Sequence, residues 1–364
     1  MTDGDLDLGE LDSEEGSTFP PPERKVVTQA YDLSVDTLLR QWNDNTLVIP
    51  TLQREYVWDN GRASRLLESL MLNLPIPPVF FAETRDAKYE VIDGHQRILS
   101  IVRYMQNQFP LSALRIQGEF QRKRFHQLPP REQRFLSTRV LRAIIITVES
   151  HPNMKFEIFQ RLNTGAIALN AQEIRNALNQ GPVNDLLKEL ARSSAFRECI
   201  GTKTPRKRMV DEELALRFLA ISHGLSSYRP PLLRFLNDFM RTTRMEDLAD
   251  IRSKFESASI LTASCFPRGA YRITDKSGAP LERNVNRALF DAQMVAASWV
   301  TSSPDTIDTA QVRRKAADLY TESKFLNNIR LATGDRRRTI ERIRMYAEML
   351  AASGVTVAKP DIEI

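Results

Sequence analysis

The first 150 residues mix helix-like and strand-like patterns of apolar positions. Between Ala63 and Leu74, apolar side chains recur at i, i+3, i+4, i+7, i+8 and i+11, which predicts an amphipathic helix that Asp59 can cap. Residues 98–105 predict a second amphipathic helix. Short apolar runs predict strands in the same region, at 31–33, 47–49, 79–81, 89–92 and 143–148.

Beyond Asn153 the pattern is helical throughout. Asn170 and Glu173 are spaced for a reciprocal capping box at the start of one of these helices. The expected fold class is therefore α+β, with a small mixed α/β N-terminal unit followed by a mainly α-helical unit. Helices are predicted over residues 155–162, 211–222, 231–240, 284–300, 310–326 and 337–351.

Length and composition limit the class of protein. The chain has 364 residues, of which 42% are hydrophobic, and this is enough for a sizeable core and about two domains. It contains no run of the roughly 18 apolar residues that a membrane span needs, and its N-terminus is acidic, unlike a signal peptide. Two cysteines and four histidines provide neither a disulfide framework nor a zinc cluster. A cytoplasmic protein is expected.

The formal charge of +5 is unevenly distributed along the chain. Residues 1–23 hold eight acidic residues and no Lys or Arg, so that the remainder carries +13. We expect an acidic, disordered tail on a basic body that favours anionic partners such as nucleotides or nucleic acid. The candidate nucleic-acid contacts lie in two basic clusters and are Arg122, Lys123, Arg124, Lys203, Arg206, Lys207 and Arg208.

The segment from Tyr89 to Met105 predicts a phosphate site. A strand that passes through a glycine turn into a helix presents free backbone N–H groups and the positive end of the helix dipole. Gly94 would let the backbone approach a ligand, Arg97 would offer a bidentate guanidinium, and Asp93 would hold Mg²⁺ or orient a water. An ordinary helix start, with Arg97 in an ion pair, is the alternative. Neither a P-loop nor a dinucleotide-binding glycine motif occurs.

Four motifs then occur in order along the chain. They are Ile49-Pro-Thr-Leu-Gln-Arg-Glu-Tyr-Val-Trp58, Leu74-Pro-Ile-Pro-Pro-Val-Phe80, Val91-Ile-Asp-Gly-His-Gln-Arg97, and Phe159-Gln-Arg-Leu-Asn-Thr-Gly165 continuing through Leu169-Asn-Ala-Gln-Glu173. Together they resemble the N-terminal domain of GmrSD-type restriction proteins, within the ParB/sulfiredoxin-like superfamily. The resemblance implies an NTP-binding domain over residues 24–150 and a helical domain over 151–364 that completes the site, after the tail of residues 1–23.

The same resemblance implies a module that binds and hydrolyses a nucleoside triphosphate with Mg²⁺, in prokaryotic anti-phage defence against modified DNA. One position departs from the family motif, since His95 stands where the family usually has Gln, and His can preserve the ligand contact or weaken turnover. The implied catalytic residues are Asp93, His95, Gln96 and Arg97, with Asp93 also the metal ligand. The implied nucleotide-binding residues are Gln53, Arg54, Gly94, Arg97, Asn163 and Gly165.

A nuclease within this chain is disfavoured. Residues 180–364 contain a single histidine, His223, whereas a His-Asn-His nuclease needs a pair. Pro304-Asp305 with Glu322-Ser-Lys324 matches another nuclease pattern, but the surrounding periodicity is helical where that pattern needs a strand. A partner nuclease would then be supplied in trans. Two alternatives stay open: a non-hydrolysing nucleotide- or DNA-binding regulatory protein, and a cryptic Mg-dependent nuclease.

Overall fold

The computed structural model of this chain describes residues 21–49, 56–84, 86–162, 169–248, 250–267 and 269–358. These residues form two compact units, the first ending at Leu178 and the second beginning at Asn179. Most of the predicted acidic tail, residues 1–20, lies outside the described residues. Its end begins a turn of 3-10 helix, Pro21–Arg24.

The first unit is built on a five-stranded mixed sheet of order β1-β5-β3-β4-β2. The outer pair β1 and β5 is antiparallel, β5 and β3 are parallel, β3 and β4 are antiparallel, and β4 and β2 are parallel. Each of the strands predicted from the apolar runs is present. Their bounds are β1 Thr28–Ser34, β2 Leu47–Val48, β3 Val79–Glu83, β4 Tyr89–Asp93 and β5 Val140–Ile146.

Helices of the first unit start where the sequence provides caps. Asp59 accepts a hydrogen bond from the Arg62 backbone N–H at 2.7 Å, which confirms it as an N-cap. The buried stripes of α2 and α3 form one core with the sheet residues Val79, Phe81 and Val91. The bounds are α1 Val35–Asn43, α2 Asn60–Met71, α3 His95–Met105, α4 Pro130–Thr138, α5 Pro152–Leu162 and α6 Ala171–Leu178.

The first unit extends beyond residue 150, where the sequence pattern changed and the expected boundary lay. The backbone N–H of His151 donates to the carbonyl of Lys25 at 2.9 Å, and Asn153 Nδ2 donates to Glu23 at 3.2 Å. These contacts tie the start of α5 to the N-terminal end of the unit, and α6 packs on α5. The pattern marks a change in secondary structure, whereas the end of the unit depends on these tertiary contacts.

The capping box at the start of α6 is present as predicted. The backbone N–H of Asn170 donates to Glu173 Oε2 at 2.7 Å, and the backbone N–H of Glu173 donates to Asn170 Oδ1 at 2.9 Å. Two otherwise unpaired donors of the helix start are thereby satisfied.

The second unit is helical, and within its described residues only isolated bridges represent β structure. Helix α12 lies at its centre, since every residue from Ala288 to Ala297 is buried against α9, α11, α14 and α15. The helix predicted over 310–326 is two helices, and α7, α8 and α11 were not among those predicted individually. The bounds are α7 Pro182–Arg192, α8 Ser194–Ile200, α9 Val210–Gly224, α10 Leu232–Thr242, α11 Ile251–Cys265, α12 Arg287–Ala297, α13 Thr309–Leu319, α14 Ser323–Arg330 and α15 Arg336–Ala352.

A charged cluster lies inside this helical core. Asp291 accepts from Nε and Nη2 of Arg217, at 3.0 and 2.6 Å, and from Nη2 of Arg342, at 2.8 Å. Both Asp291 and Arg342 are 0% exposed. One carboxylate therefore pairs with two buried guanidinium groups and links α9, α12 and α15.

None of the helices in the described ranges combines the length and the apolarity that crossing a bilayer requires.

Candidate functional site

The predicted phosphate site is formed by the turn that joins β4 to α3. Gly94 is the N-cap of α3 and has a left-handed backbone, with φ 97° and ψ 9°. A Cβ atom at this position would lie 2.6 Å from Cγ1 of Val79 on the neighbouring strand. Glycine is required here both by the positive φ and by the close approach of Val79. Gly94 has no side chain to cap α3 and no acidic residue lies in the first turn, so the helix dipole favours an anion at this end.

Arg97 does not point outward as a free phosphate fork. Its Nη2 donates to Asp93 Oδ2 at 2.7 Å, and its Nη1 donates to the backbone carbonyls of Pro77 and Pro78, the latter at 3.1 Å. The Arg97 side chain is only 13% exposed, whereas that of Asp93 is 34% exposed. Burial lowers the pKa of Arg97, and Asp93 raises it. Arg97 thus positions Asp93 and binds the carbonyls of the two residues that precede β3, which agrees with the ion-paired alternative.

Gln96 and His95 form a second pair. Gln96 Oε1 accepts from the backbone N–H groups of Val57 and Trp58, at 3.1 and 3.2 Å. The amide Nε2 is therefore the donor in its 2.8 Å contact with Nε2 of His95. It follows that a neutral His95 carries its proton on Nδ1. Burial lowers the pKa of His95, Asp93 raises it and Arg97 lowers it, which favours this neutral form at pH 7.

Tyr56 holds the first turns of α3 from the other side. The Tyr56 hydroxyl lies 3.0 Å from Oγ of Ser100. The Ser100 hydroxyl in turn donates to the Gln96 carbonyl at 2.7 Å. Since Ser100 has one proton to donate, Tyr56 is the donor in their shared contact. The guanidinium of Arg103 lies 4.2 Å from the centre of the Tyr56 ring. These contacts keep the segment from Tyr56 to Trp58 against the helix that carries the candidate site.

The Gly94 turn and the residues that contact it lie in a segment that matches a known family. Residues 35–179 match the family described as GmrSD restriction endonuclease, N-terminal domain. This segment is therefore similar to a GmrSD-type N-terminal domain, and it is called the GmrSD-type domain. This domain runs from the start of α1 to the end of α6, and it covers about two fifths of the chain. No curated protein matches the chain with significance.

Of the implied site residues of the GmrSD-type domain, the structure brings together Asp93, Gly94, His95, Gln96 and Arg97. The others are Gln53, Arg54, Asn163 and Gly165, and all of them lie outside the described residues. The roles that the resemblance implies for them stay predictions.

The basic cluster of the GmrSD-type domain consists of residues 122–124, and two of its three side chains contact neighbouring residues. Arg124 Nη1 donates to the carbonyl of Asn107 at 2.5 Å, and Lys123 Nζ lies 5.5 Å from the centre of the Phe120 ring. Arg122 is exposed on a left-handed backbone with φ 66°. Arg122 is therefore the residue of this cluster best placed to meet a phosphate in solvent.

The second basic cluster lies in the helical unit. Lys203 and Lys207 are exposed, whereas Arg206 turns inward and donates from Nε to Asp211 Oδ1 at 2.7 Å. Arg208 has a left-handed backbone with φ 61°. Nucleic-acid contact by these residues stays a prediction.

The residues of the nuclease pattern lie in a helical setting, as the periodicity indicated. Asp305 belongs to a 3-10 helix, and Glu322 is the N-cap of α14. Lys324 Nζ lies 3.2 Å from Glu341 Oε1. Glu322 and Lys324 therefore do not share one face of a strand, which is the arrangement that the nuclease pattern needs.

Glu90 is a candidate that sequence reasoning did not single out. It lies in β4, where it is paired in register with Val48 and Ala82. Burial raises its pKa to about 7, and the charge of Asp86 raises it while Lys155 lowers it. Its only signal in the sequence is an acidic residue within an otherwise apolar strand. Glu90 is a partly buried carboxyl group with a raised pKa on the strand that ends at Asp93.

We expect Glu90→Gln to stabilise the protein at pH 8 by about 2 kcal/mol while leaving it unchanged near pH 4.5. The folded pKa of about 7 lies above the ordinary value of 4.5, so the stability that this group contributes is complete below pH 4.5 and is lost as the pH rises through 7. Glutamine does not titrate and escapes this loss. Urea unfolding of both proteins at several pH values measures the difference.

Glu149→Gln is the control for Glu90→Gln, because it removes an exposed carboxylate of the same unit. It should change the unfolding free energy by less than about 0.5 kcal/mol at every pH. An equal pH dependence in the wild-type and Glu90→Gln proteins would contradict the raised pKa.

Proposed function

We propose that the chain is the nucleotide-binding, NTP-hydrolysing module of a modification-dependent restriction system, acting with Mg²⁺ and contacting DNA. The observation that carries this proposal is the uncapped start of α3, formed by a glycine turn and flanked by Asp93 and His95. The family match supports the restriction context. A nuclease partner in trans would perform cleavage, since the nuclease pattern of this chain lies on helices.

The start of α3 is suited to a nucleotide phosphate. The backbone N–H groups of the first turn and the dipole of α3 favour an anion. His95 adds a neutral N–H donor at Nδ1. Gly94 has no side chain to obstruct the approach, and Gln96 keeps both the His95 ring and the backbone at Trp58 in place.

Asp93 fits the role of Mg²⁺ ligand. Within the described ranges no group of three or more His, Cys, Asp or Glu side chains gathers to hold a metal ion. Mg²⁺ in nucleotide sites is commonly held by one or two carboxylates together with substrate phosphates and water, so a single carboxylate beside a phosphate-binding turn matches that mode. The bound ion would neutralise phosphate charge. Arg97 fixes the Asp93 carboxylate through Oδ2.

A binding-only regulatory protein is the second candidate, and the state of His95 favours it. Its Nε2 accepts a hydrogen bond from Gln96 and its Nδ1 carries a proton. The neutral ring therefore has no free nitrogen with which to take a proton from an attacking water. Hydrolysis would depend on Asp93 for that task, and Asp93 is already paired with Arg97.

We expect the wild-type protein to release phosphate from at least one NTP in Mg²⁺, and Asp93→Asn to lower this rate more than about tenfold. The amide keeps the size of the side chain but removes the charge that binds the metal and orients water. Release is measured for all NTPs with plain DNA, with modified DNA and without DNA. Stimulation by one form of DNA would identify the target.

Asp36→Asn is a closely matched control for Asp93→Asn. Asp36 is also the first member of an Asp–Arg pair four residues apart, with Arg40 at 3.3 Å, but it is exposed and lies within α1. Its replacement should leave turnover unchanged. Nucleotide binding without turnover, measured by calorimetry, would support the regulatory candidate. Absence of any NTP binding would overturn the NTPase and would leave only a DNA-binding regulatory protein.

A further inference from the structure

One edge of the five-stranded sheet is long and open. Strand β1, Thr28–Ser34, lies at the end of the strand order and, among the described residues, pairs only with β5. Its first five residues are all exposed. The opposite edge is β2, Leu47–Val48, which is only two residues long. Since a free strand edge presents unpaired backbone donors and acceptors, the long edge at β1 needs an explanation, whereas the short edge does not.

The backbone groups that face this edge follow from the hydrogen bonds on the other side of β1. The backbone N–H of Thr147 donates to the Val27 carbonyl at 3.0 Å, in the same antiparallel ladder that pairs β1 with β5. Residues that bind the neighbouring strand alternate with residues that do not. The odd-numbered residues therefore bind β5, and the N–H and C=O groups of Thr28, Ala30 and Asp32 face outward. These outward groups have no hydrogen-bond partner among the described residues.

Strand β1 carries none of the features with which natural sheets block an edge. Blocked edges are short, bulged, or rich in Pro and Lys. The seven residues of β1 include no Pro, Lys or Arg, and their register with β5 runs without a shift. In contrast, the pairing of β3 with β4 shifts between Phe80 and Phe81. The charged residue of β1, Asp32, is paired with Arg142 at 2.8 Å. This edge is thus suited to pairing with another strand.

An apolar row crosses the sheet and ends at the β1 edge. Ala30 lies beside Ile144 of β5, and Ile144 lies beside Phe80 of β3. Their chain neighbours Phe81 and Ile145 belong to the core on one face of the sheet, so the row lies on the other face. Ala30 is exposed, and Ile144 and Phe80 are half-buried. The row stops at a small exposed residue, and the same row of a second copy would continue it.

We propose that β1 is a dimer interface, at which two copies of this chain pair antiparallel about a two-fold axis at Ala30 and join their sheets edge to edge. In this register Ala30 lies opposite Ala30 of the partner copy, and Thr28 lies opposite the partner's Asp32. The outward N–H groups of these residues then meet carbonyls, and the two apolar rows become one. No like charges of β1 face each other. The interface is independent of nucleotide or DNA binding.

The test places charge at the proposed axis. In the dimer, Ala30→Lys sets two ammonium groups opposite each other and Ala30→Glu sets two carboxylates there, whereas in the monomer either side chain is exposed. We expect wild type to be dimeric in sedimentation velocity at about 50 µM, and each variant to raise the dissociation constant about tenfold or more. An equimolar mixture of the two variants should recover the dimer, because opposite charges then meet. Ile116→Lys, at an exposed apolar residue elsewhere in the unit, is the control and should leave association unchanged.

A second measurement needs no variant. Hydrogen exchange of the wild-type backbone amides is compared between dilute and concentrated protein. Dimerisation should slow exchange at Thr28, Ala30 and Asp32, whereas Gln29 and Tyr31 already bind β5 in the monomer. Equal exchange at both concentrations, or a wild type that stays monomeric, overturns the proposal. A dimer that persists in both Ala30 variants also overturns it, and a mixture of the variants that fails to reassociate overturns the axis at Ala30.

Discussion

Asp291→Ala is expected to destabilise the helical unit by about 3–5 kcal/mol, which is comparable to the whole stability of many domains. Asp291 is completely buried and is the partner of both Arg217 and Arg342. Its removal takes the carboxylate away from two guanidinium groups inside the core. Arg342 still donates to the Thr333 carbonyl at 2.7 Å, but a neutral carbonyl does not offset the cost of burying the charge.

Urea unfolding followed by far-UV circular dichroism measures this loss, because the second unit is helical. Asp318→Ala is the matched control, since Asp318 pairs with Lys276 at 3.2 Å and both side chains are exposed. Its effect should stay below about 1 kcal/mol. Equal effects of the two substitutions would show that the buried cluster does not hold the helices together.

Gly94→Ala is expected to destabilise the GmrSD-type domain by about 2–4 kcal/mol and to abolish the proposed nucleotide binding. A left-handed backbone costs an L-residue about 1–2 kcal/mol. The added methyl would also lie 2.6 Å from Cγ1 of Val79, so either β3 or the turn must move. Movement of the turn displaces the N–H groups at the start of α3.

Two further variants separate the backbone cost of Gly94→Ala from the steric cost. Gly118→Ala should be nearly neutral, because a Cβ there meets nothing within 4 Å and the residue has no positive φ. Val79→Ala combined with Gly94→Ala removes the methyl group that clashes, and should recover nucleotide binding in part. Thermal unfolding and calorimetric NTP titration measure both properties. A stable Gly94→Ala protein that binds NTP normally would contradict the role of this turn.

Local signals in the sequence predicted much of the first unit. The Asp59 cap, the capping box of Asn170 and Glu173 and the apolar stripe that begins at Ala63 depend on residues within a few positions of one another. The turn at Gly94 is also local, because one strand leads directly into one helix. The structure confirms each of these, and the family match confirms the resemblance that the four motifs carried.

Contacts distant in sequence account for the differences. The sequence left Arg97 either as a ligand fork or in an ion pair, and its ion pair with Asp93 is present. What the sequence did not indicate is that its Nη1 also binds the carbonyls of Pro78 and Pro77, 19 and 20 residues earlier. The proton position of His95 depends on the backbone at Val57 and Trp58, more than 30 residues away, acting through Gln96. No periodicity or spacing rule reports such contacts, since they depend on which strands and loops become neighbours.

The sequence by itself determined the α+β class, the strands, the caps and the turn at residues 93–97, because each follows from local propensity and the period of apolar positions. Only the tertiary structure decided that Arg97 binds the carbonyls of Pro77 and Pro78, that Glu90 is partly buried, and that Asp291 pairs with two buried guanidinium groups. The physical reason is that burial and long-range pairing set the charge state and the free donors of a side chain. These quantities exist only once segments far apart in the chain are packed together.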